Sequence, residues 1–453
     1  MVDLVASCQE QVVTVENSAG SVRYSRTAPY DVIETAGADP LANEDPFAFA
    51  YPDAEPAAPV AGANAYPFGR ERLAGLFDDP RAPDLVVVHT AGHYWPERGG
   101  HLGEHGSLDA VQSRAPLLLS GAGVTARGVV DDVARTVDVG PTLAHLAGGA
   151  MPAATGRPLA AHCGPGARHV VGLLWDGVNA SSLLSLALSG ELPNVARLLD
   201  RGAALRGGAV AEFPSVTLAN HTSALTGVGP GRHGILHNAF YDRATGERCV
   251  PNDETTWHRA CDWLRPGVVT LWEALPGRRT ACVNEPVDRG AGYSTFGLVR
   301  EQETGDGARG LSSALPDPTA DPHASRSWVA DPGYAWGTSV DALGLQQVLA
   351  LWSDPATRPD VMWWNTTLTD TAHHLGGPHS EVAVASLRDT DRRLGTFLDL
   401  VDRLGLTDEV AVLLTSDHGS EAADPSCRGD WDEALRAAGV EFRDEAYGFV
   451  YLG

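Results

Sequence analysis

Thr217, in the run FPSVTLANHTSALTG, is a hydroxyl residue placed where a loop gives way to a segment of helical period. A threonine hydroxyl is inert until it loses its proton, and no base triad is visible near it, so metal coordination is the activator the pattern suggests. If TLANHTSALTG is a helix beginning at Thr217, its free backbone N–H groups also face an incoming phosphate. A threonine in that place ordinarily only caps a helix, so the surrounding residues decide. Asn238, which ends HGILHN, is placed to donate a side-chain amide hydrogen bond to a developing oxyanion.

Metal-ligating types stand at three further places. Asp176 closes the apolar run HVVGLLWD, and carboxylates at the carboxyl ends of strands gather ligands in open α/β sheets. Asp370 and His374, in LTDTAHHLGGPH, are four apart and share one face if that turn is helical; carboxylate plus imidazole is a zinc pair. His373 and His379 compete for the same role. Asp417 and His418 follow the apolar run EVAVLLTS, and Gly419 lets the chain leave sharply. A Gly-rich loop earlier in the chain holds His93, His101 and His105; His105 is favoured over His101.

The elements that must position these groups read as an α/β series. HVVGLLWDGV, RRTACVNEP, VMWWNTT and EVAVLLTS are short buried-strand runs, LPNVARLLDRGA and residues 381–404 are helical, and PDLVVVHT and APLLLSGAGV add two strands earlier on. VDDVARTVDVGPTLAHLAG reads as helix, EQVVTVENSAGSVRYSRT as a hairpin, and PDAEPAAPVAGANAYP as a surface connection. Residues 151–168 read as a linker between a first part, 1–150, and a second, 169–453. Within the second, residues 243–338 read as insertions or a cap over the site.

Composition narrows the function. All 33 basic residues among 453 are arginine, which excludes Schiff-base, pyridoxal-phosphate and P-loop chemistry, each of which needs a lysine. A net charge of -25 without a basic run argues against a nucleic-acid polymer or an anionic membrane as partner. Six scattered cysteines make no zinc ribbon. The N-terminal residues lack the pattern of a secretion signal and no run is long enough to span a membrane, so a soluble cytoplasmic protein is expected.

Taken together, WDGV, FPSVTLANHTSALTG, HGILHNAFYD, TDTAHHLGGP and TSDHG resemble the type I phosphodiesterase/nucleotide pyrophosphatase family of the alkaline phosphatase superfamily. The resemblance implies a three-layer α/β/α sandwich with a mostly parallel central sheet. It implies two divalent ions, zinc first, one held by Asp176, Thr217, Asp417 and His418 and the other by Asp370, His374 and His105. It further implies a covalent intermediate on Thr217, with Asn238 steadying a phosphate oxygen. The order departs from the family's: segments that close the family sequence, from the His105 loop to VDVGPTLAHLAG and MPAATGRPL, come first here, so the chain reads as circularly permuted.

The expected activity is hydrolysis of a small phosphodiester or pyrophosphate. The alternatives are a phosphomonoesterase, a C–P cleaving enzyme of the phosphonoacetate hydrolase kind, and a permuted pseudoenzyme that only binds.

Overall fold

The computed structural model describes residues 2–47, 64–96, 99–302, 311–446 and 448–453. The stretch read as an Ala/Pro-rich surface connection falls mostly outside these residues.

The strand His169–Trp175 is buried along its whole length. Its side chains alternate between two cores: Val170 and Leu174 face one, Val171, Leu173 and Trp175 the other. Both faces are therefore covered, which is why the run is apolar throughout. Gly172 is obligatory here, because a Cβ would lie 2.3 Å from the ring of Trp363 on the neighbouring strand.

Around this strand runs an eight-stranded sheet. Tyr293–Ser294, Thr280–Val283, Val361–Thr366, His169–Trp175 and Val410–Thr415 are successive parallel neighbours; Leu117–Gly121 then pairs antiparallel with Val410–Thr415 and with Gly202–Leu205, and Gly128–Val130 closes the far edge. Helices Val139–Leu146 and Thr217–Thr226 pack on one face. Ala180–Leu188, Pro193–Leu199, Pro332–Ser353 and Glu381–Arg403 pack on the other. The expected three-layer α/β/α sandwich with a mostly parallel sheet is what forms. Truncating a buried leucine such as Leu173 would cost about 2–5 kcal/mol.

Three readings change. The strand Leu85–His89 joins no parallel sheet; it lies inside a separate seven-stranded antiparallel sheet, between Val2–Gln9 and Phe449–Leu452. A five-residue apolar run does not specify its partners. The helix expected over the VDDVARTVDVG stretch begins only at Val139. Before it, Ala134–Arg135 pairs with Ala209–Val210, and the Asp138 carboxylate accepts the Arg135 N–H at 2.9 Å, turning the chain. Residues 243–338 are not all insertion, since Thr280–Val283 is a strand of the central sheet. The first 150 residues and the second part share one sheet, with Leu117–Gly121 lying beside Val410–Thr415. The hairpin is present as Val12–Asn17 paired with Gly20–Ser25. Among the described residues no helix is long and apolar enough to cross a membrane.

Candidate active site

Three neighbouring strands end level, with Leu174 opposite Thr415 and Trp175 opposite Thr366. Their carboxyl ends deliver Asp176, the pair Asp417 and His418, and, through the helix Leu368–Gly376, Asp370 and His374. Gly177 makes the junction possible. It holds φ +72°, and a Cβ there would lie 2.4 Å from an Asp370 carboxylate oxygen.

The loop before Thr217 is clamped by Asn220, whose amide donates to the carbonyls of Pro214 (2.9 Å) and Val216 (3.1 Å) while its oxygen accepts the Glu212 N–H (2.7 Å). Val216, not Thr217, occupies the cap position of the helix Thr217–Thr226 and makes no side-chain cap bond. The Thr217 hydroxyl is thus not spent on capping, and Oγ1 lies 3.4 Å from His418 Nε2. Asn238 accepts the Leu218 N–H through Oδ1 at 3.1 Å, which fixes the orientation of its amide.

The expected ligands converge. His418 Nε2 is 3.0 Å from Asp417 Oδ2 and 3.8 Å from Asp176 Oδ1; His374 Nε2 is 3.3 Å from Asp370 Oδ2. His105 returns from the distant N-terminal part to stack on His418, ring centroids 3.8 Å apart, and lies 5.1 Å from His374. In each of these histidines Nδ1 faces a backbone carbonyl: Ser215 for His105, Gly103 for His374, Gly419 for His418. An Nδ1–H donated to a carbonyl leaves Nε2 as the lone-pair donor, the arrangement metal-ligating imidazoles use.

Donor atoms lie within 4.8 Å of one another in four groups: His105, Asp370 and His374; Asp176, Asp370 and His418; Asp176, His221 and Asp417; His101, Glu104 and His374. Asp370 belongs to two of them and stands between the two halves of the cluster. Asp176 Oδ1, Asp370 Oδ1 and Asp417 Oδ2 are buried without a hydrogen-bond partner. Such orphaned carboxylate oxygens among imidazole nitrogens fit divalent cations.

Charge behaves accordingly. Burial, then the Asp417 and Asp370 carboxylates, push Asp176 well above the usual carboxylate range. Burial would lower His374 and His418, but Asp370 beside the first and Asp417 beside the second outweigh it, and both rise to about 9. Burial and the neighbouring His418 hold His105 well below an ordinary imidazole. Without a metal, protons gather where cations would bind.

Other candidates sort out. His373 is buried and turns Nδ1 to the Gly177 carbonyl at 2.8 Å. His93 packs against Trp95, ring centroids 4.1 Å apart, with Trp431 beyond. His101 lies 4.3 Å from the His374 ring and keeps company with Glu104. Two residues escape the sequence reading. His221, on the same helix as Thr217, puts Nε2 3.7 Å from Asp176 Oδ2 and 3.6 Å from Asp417 Oδ2, with buried Glu285 2.9 Å from its Nδ1. Their signals were present: Thr217 and His221 have the same four-residue spacing as Asp370 and His374, and Glu285 follows a strand end as Asp176 does.

The sequence profile of the family type I phosphodiesterase / nucleotide pyrophosphatase matches residues 170–452, more than half of the chain. The chain belongs to that family. The matched region holds every expected ligand except His105.

Among curated proteins, the chain is similar to ectonucleotide pyrophosphatase/phosphodiesterase family member 7 of Homo sapiens, 25% identical over 245 residues, 53% of this chain and 46% of that protein. It is also similar to an uncharacterized pyrophosphatase/phosphodiesterase of Schizosaccharomyces pombe, 23% identical over 257 residues, 55% and 44% of the two chains. The chain thus spans about half the length of the curated relatives it matches. Solved structures that it resembles include murine ectonucleotide pyrophosphatase/phosphodiesterase 5, TM-score 0.44 at 16% identity over 61% of this chain and 64% of that one. Another is phosphonoacetate hydrolase from Sinorhizobium meliloti 1021 in complex with phosphonoformate, TM-score 0.37 at 24% identity, covering 56% and 57%.

Proposed function

We propose that this family member is a two-metal phosphodiesterase that works through Thr217. The observation that carries the reading is the Thr217 hydroxyl, free of any capping duty and 3.4 Å from His418 Nε2 at the edge of a buried Asp/His cluster. Asp176, Asp417 and His418, with Thr217, would hold one divalent cation; Asp370, His374 and His105 would hold the other, Asp370 lying between them. Zinc suits a mixed carboxylate and imidazole set. When bound, such ions lower the pKa of a coordinated hydroxyl and draw charge from a phosphoryl oxygen.

In this reading the Thr217 hydroxyl loses its proton to solvent, and Oγ1 attacks phosphorus. The bond to the leaving alcohol or phosphate breaks, leaving the rest of the diester esterified through phosphorus to Thr217, and water then cleaves the Oγ1–P bond to release the monoester. Backbone N–H groups of Thr217 and Ala219, at the start of the helix, face the phosphoryl oxygens. Asn238, its Oδ1 engaged by Leu218, offers its NH2 to the oxygen that gains charge.

We also propose that the chain order is a circular permutation of the family order. Supporting this, Leu117–Gly121 and His105 precede the matched region, yet the strand pairs with Val410–Thr415 inside it and His105 stacks on His418.

The experiment is turnover of a bis-aryl phosphate, a mono-aryl phosphate and phosphonoacetate by zinc-loaded protein. The diester should be cleaved fastest; preference for the monoester or for phosphonoacetate would contradict the diesterase reading.

A further inference from the structure

Next to Thr217 lies a cavity of about 40 Å³ whose walls include Asn284, Asn365 and Thr367. Asn284 follows the strand Thr280–Val283, and Asn365 sits near the end of its partner Val361–Thr366, so both are delivered to the same sheet edge as Asp176. Asn284 takes a left-handed conformation, φ 55°, which asparagine tolerates better than most residues.

The two amides are oriented by their donors. Asn284 Nδ2 donates to the Val340 carbonyl at 2.9 Å, and Asn365 Nδ2 donates to the Asn284 carbonyl at 3.1 Å. Flipping either amide would set oxygen against oxygen, so in both the side-chain carbonyl is the free end. Both Oδ1 atoms, and the Thr367 hydroxyl, are buried and have no hydrogen-bond partner in the protein. Two orphaned acceptors and an orphaned hydroxyl around one cavity beside a nucleophile is unusual, since buried polar groups are ordinarily satisfied.

None of the described lining residues is an arginine. The imidazole there, His221, already faces Asp176, Asp417 and Glu285. A carboxylate or second phosphate would meet the two amide carbonyls and the Asp176 carboxylate with no free cation to offset them, the neutral Asn252 amide and Thr367 hydroxyl being the donors that remain. An ammonium group would be desolvated against neutral dipoles, with no carboxylate to spare. What satisfies the cavity is an uncharged group that donates hydrogen bonds. Trp257 and Phe296, rings 6.1 Å apart, add an apolar wall for a short carbon chain. The volume admits only a few heavy atoms, a cavity of this size holding about three waters.

We propose, resting on the diesterase reading above, that this cavity is a specificity pocket for a short hydroxyalkyl arm of the substrate. The substrate class is then phosphodiesters of small polyols, with Asn284 and Asn365 as the residues that read the hydroxyl.

The test uses three zinc-loaded proteins: the native chain, Asn284→Gly, which the left-handed backbone accepts, and Asn365→Ala. Each is assayed on aryl phosphodiesters whose second arm is 2-hydroxyethyl, propyl or carboxymethyl, and melting curves verify that both variants fold. The native chain should prefer the hydroxyethyl arm at least tenfold in kcat/KM over both others, and in each variant the hydroxyethyl-to-propyl ratio should fall towards one. Equal native rates on all three, or a ratio that survives in both variants, would overturn the pocket while leaving the diesterase reading intact. If no ester is cleaved, the diesterase reading fails, and calorimetric binding still reads the pocket. Tighter binding of the hydroxyethyl ester than of the propyl ester supports it, and equal binding overturns it; water alone as the occupant gives the latter result.

Discussion

Glu285 Oε2 lies 2.9 Å from His221 Nδ1, and the opposite edge of that ring faces the carboxylates of Asp176 and Asp417. Glu285 is itself fixed, because Trp363 Nε1 donates to Oε2 at 3.1 Å and the Val287 N–H donates to Oε1 at 3.0 Å. A fully buried carboxylate, an imidazole and two proposed ligands therefore form one chain running out from the sheet.

Outer partners of this kind are worth about 10–100-fold in metal affinity. Glu285→Gln keeps the shape and removes the charge, so zinc affinity at the Asp176/Asp417 half should fall within that range. Titration against a chromogenic chelator reads it, and an unchanged affinity would make His221 a packing residue only.

The proton balance gives a second prediction. In the metal-free protein His374 and His418 hold protons up to about pH 9, because Asp370 and Asp417 outweigh the opposing effect of burial. Zinc needs neutral imidazoles, so its binding at pH 7 should release protons, seen as calorimetric heats that vary with the buffer's ionisation enthalpy. An unfolded histidine titrates near about 6.5. The raised values therefore stabilise the metal-free fold fully below about pH 6.5, and that contribution is lost as pH rises through about 9. The metal-free melting temperature should drop across this interval while zinc affinity climbs.

Gly177→Ala tests the strand-end junction. The backbone there is left-handed, and the new methyl would press on Asp370. Zinc content of the purified variant should fall below that of the native chain; full zinc occupancy would show that Asp370 has room to retreat.

These residues also show where the sequence was readable. Asp176, Asp417 and His418 were legible because they follow short, mostly apolar runs, and such runs end at a sheet's carboxyl edge. Asp370 and His374 were legible from their four-residue spacing. Leu85–His89 was misassigned because its partners come from the two ends of the chain, which no local pattern encodes. His221 was passed over because it sits inside a helix that the hydroxyl of Thr217 already explained. The Asn284 and Asn365 pocket was invisible, since it depends on which amide atom is already occupied.

The permutation has its own geometric test. Val2 pairs with His89 and Val450 with Leu85, on opposite sides of one strand and near its opposite ends. The C-terminal strand continues to Leu452, so a join from it to Val2 must run about 20 Å along the strand and about 10 Å across it; a short linker will not serve and about ten residues are needed. Opened between Ala160 and Ala161, both exposed, such a chain should fold and bind zinc. Failure to fold with the longer linker would count against permutation.

The most direct measurement concerns Thr217 itself. Zinc-loaded protein is mixed with an aryl phosphodiester, quenched in acid within milliseconds to seconds, digested and examined by mass spectrometry. A phosphoester adduct is expected on the peptide containing Thr217, localised to that residue and absent from Thr217→Ala, whose turnover should fall by a factor of about 10³ or more. Full turnover by Thr217→Ala, or an adduct on another residue, would contradict Thr217 as the nucleophile.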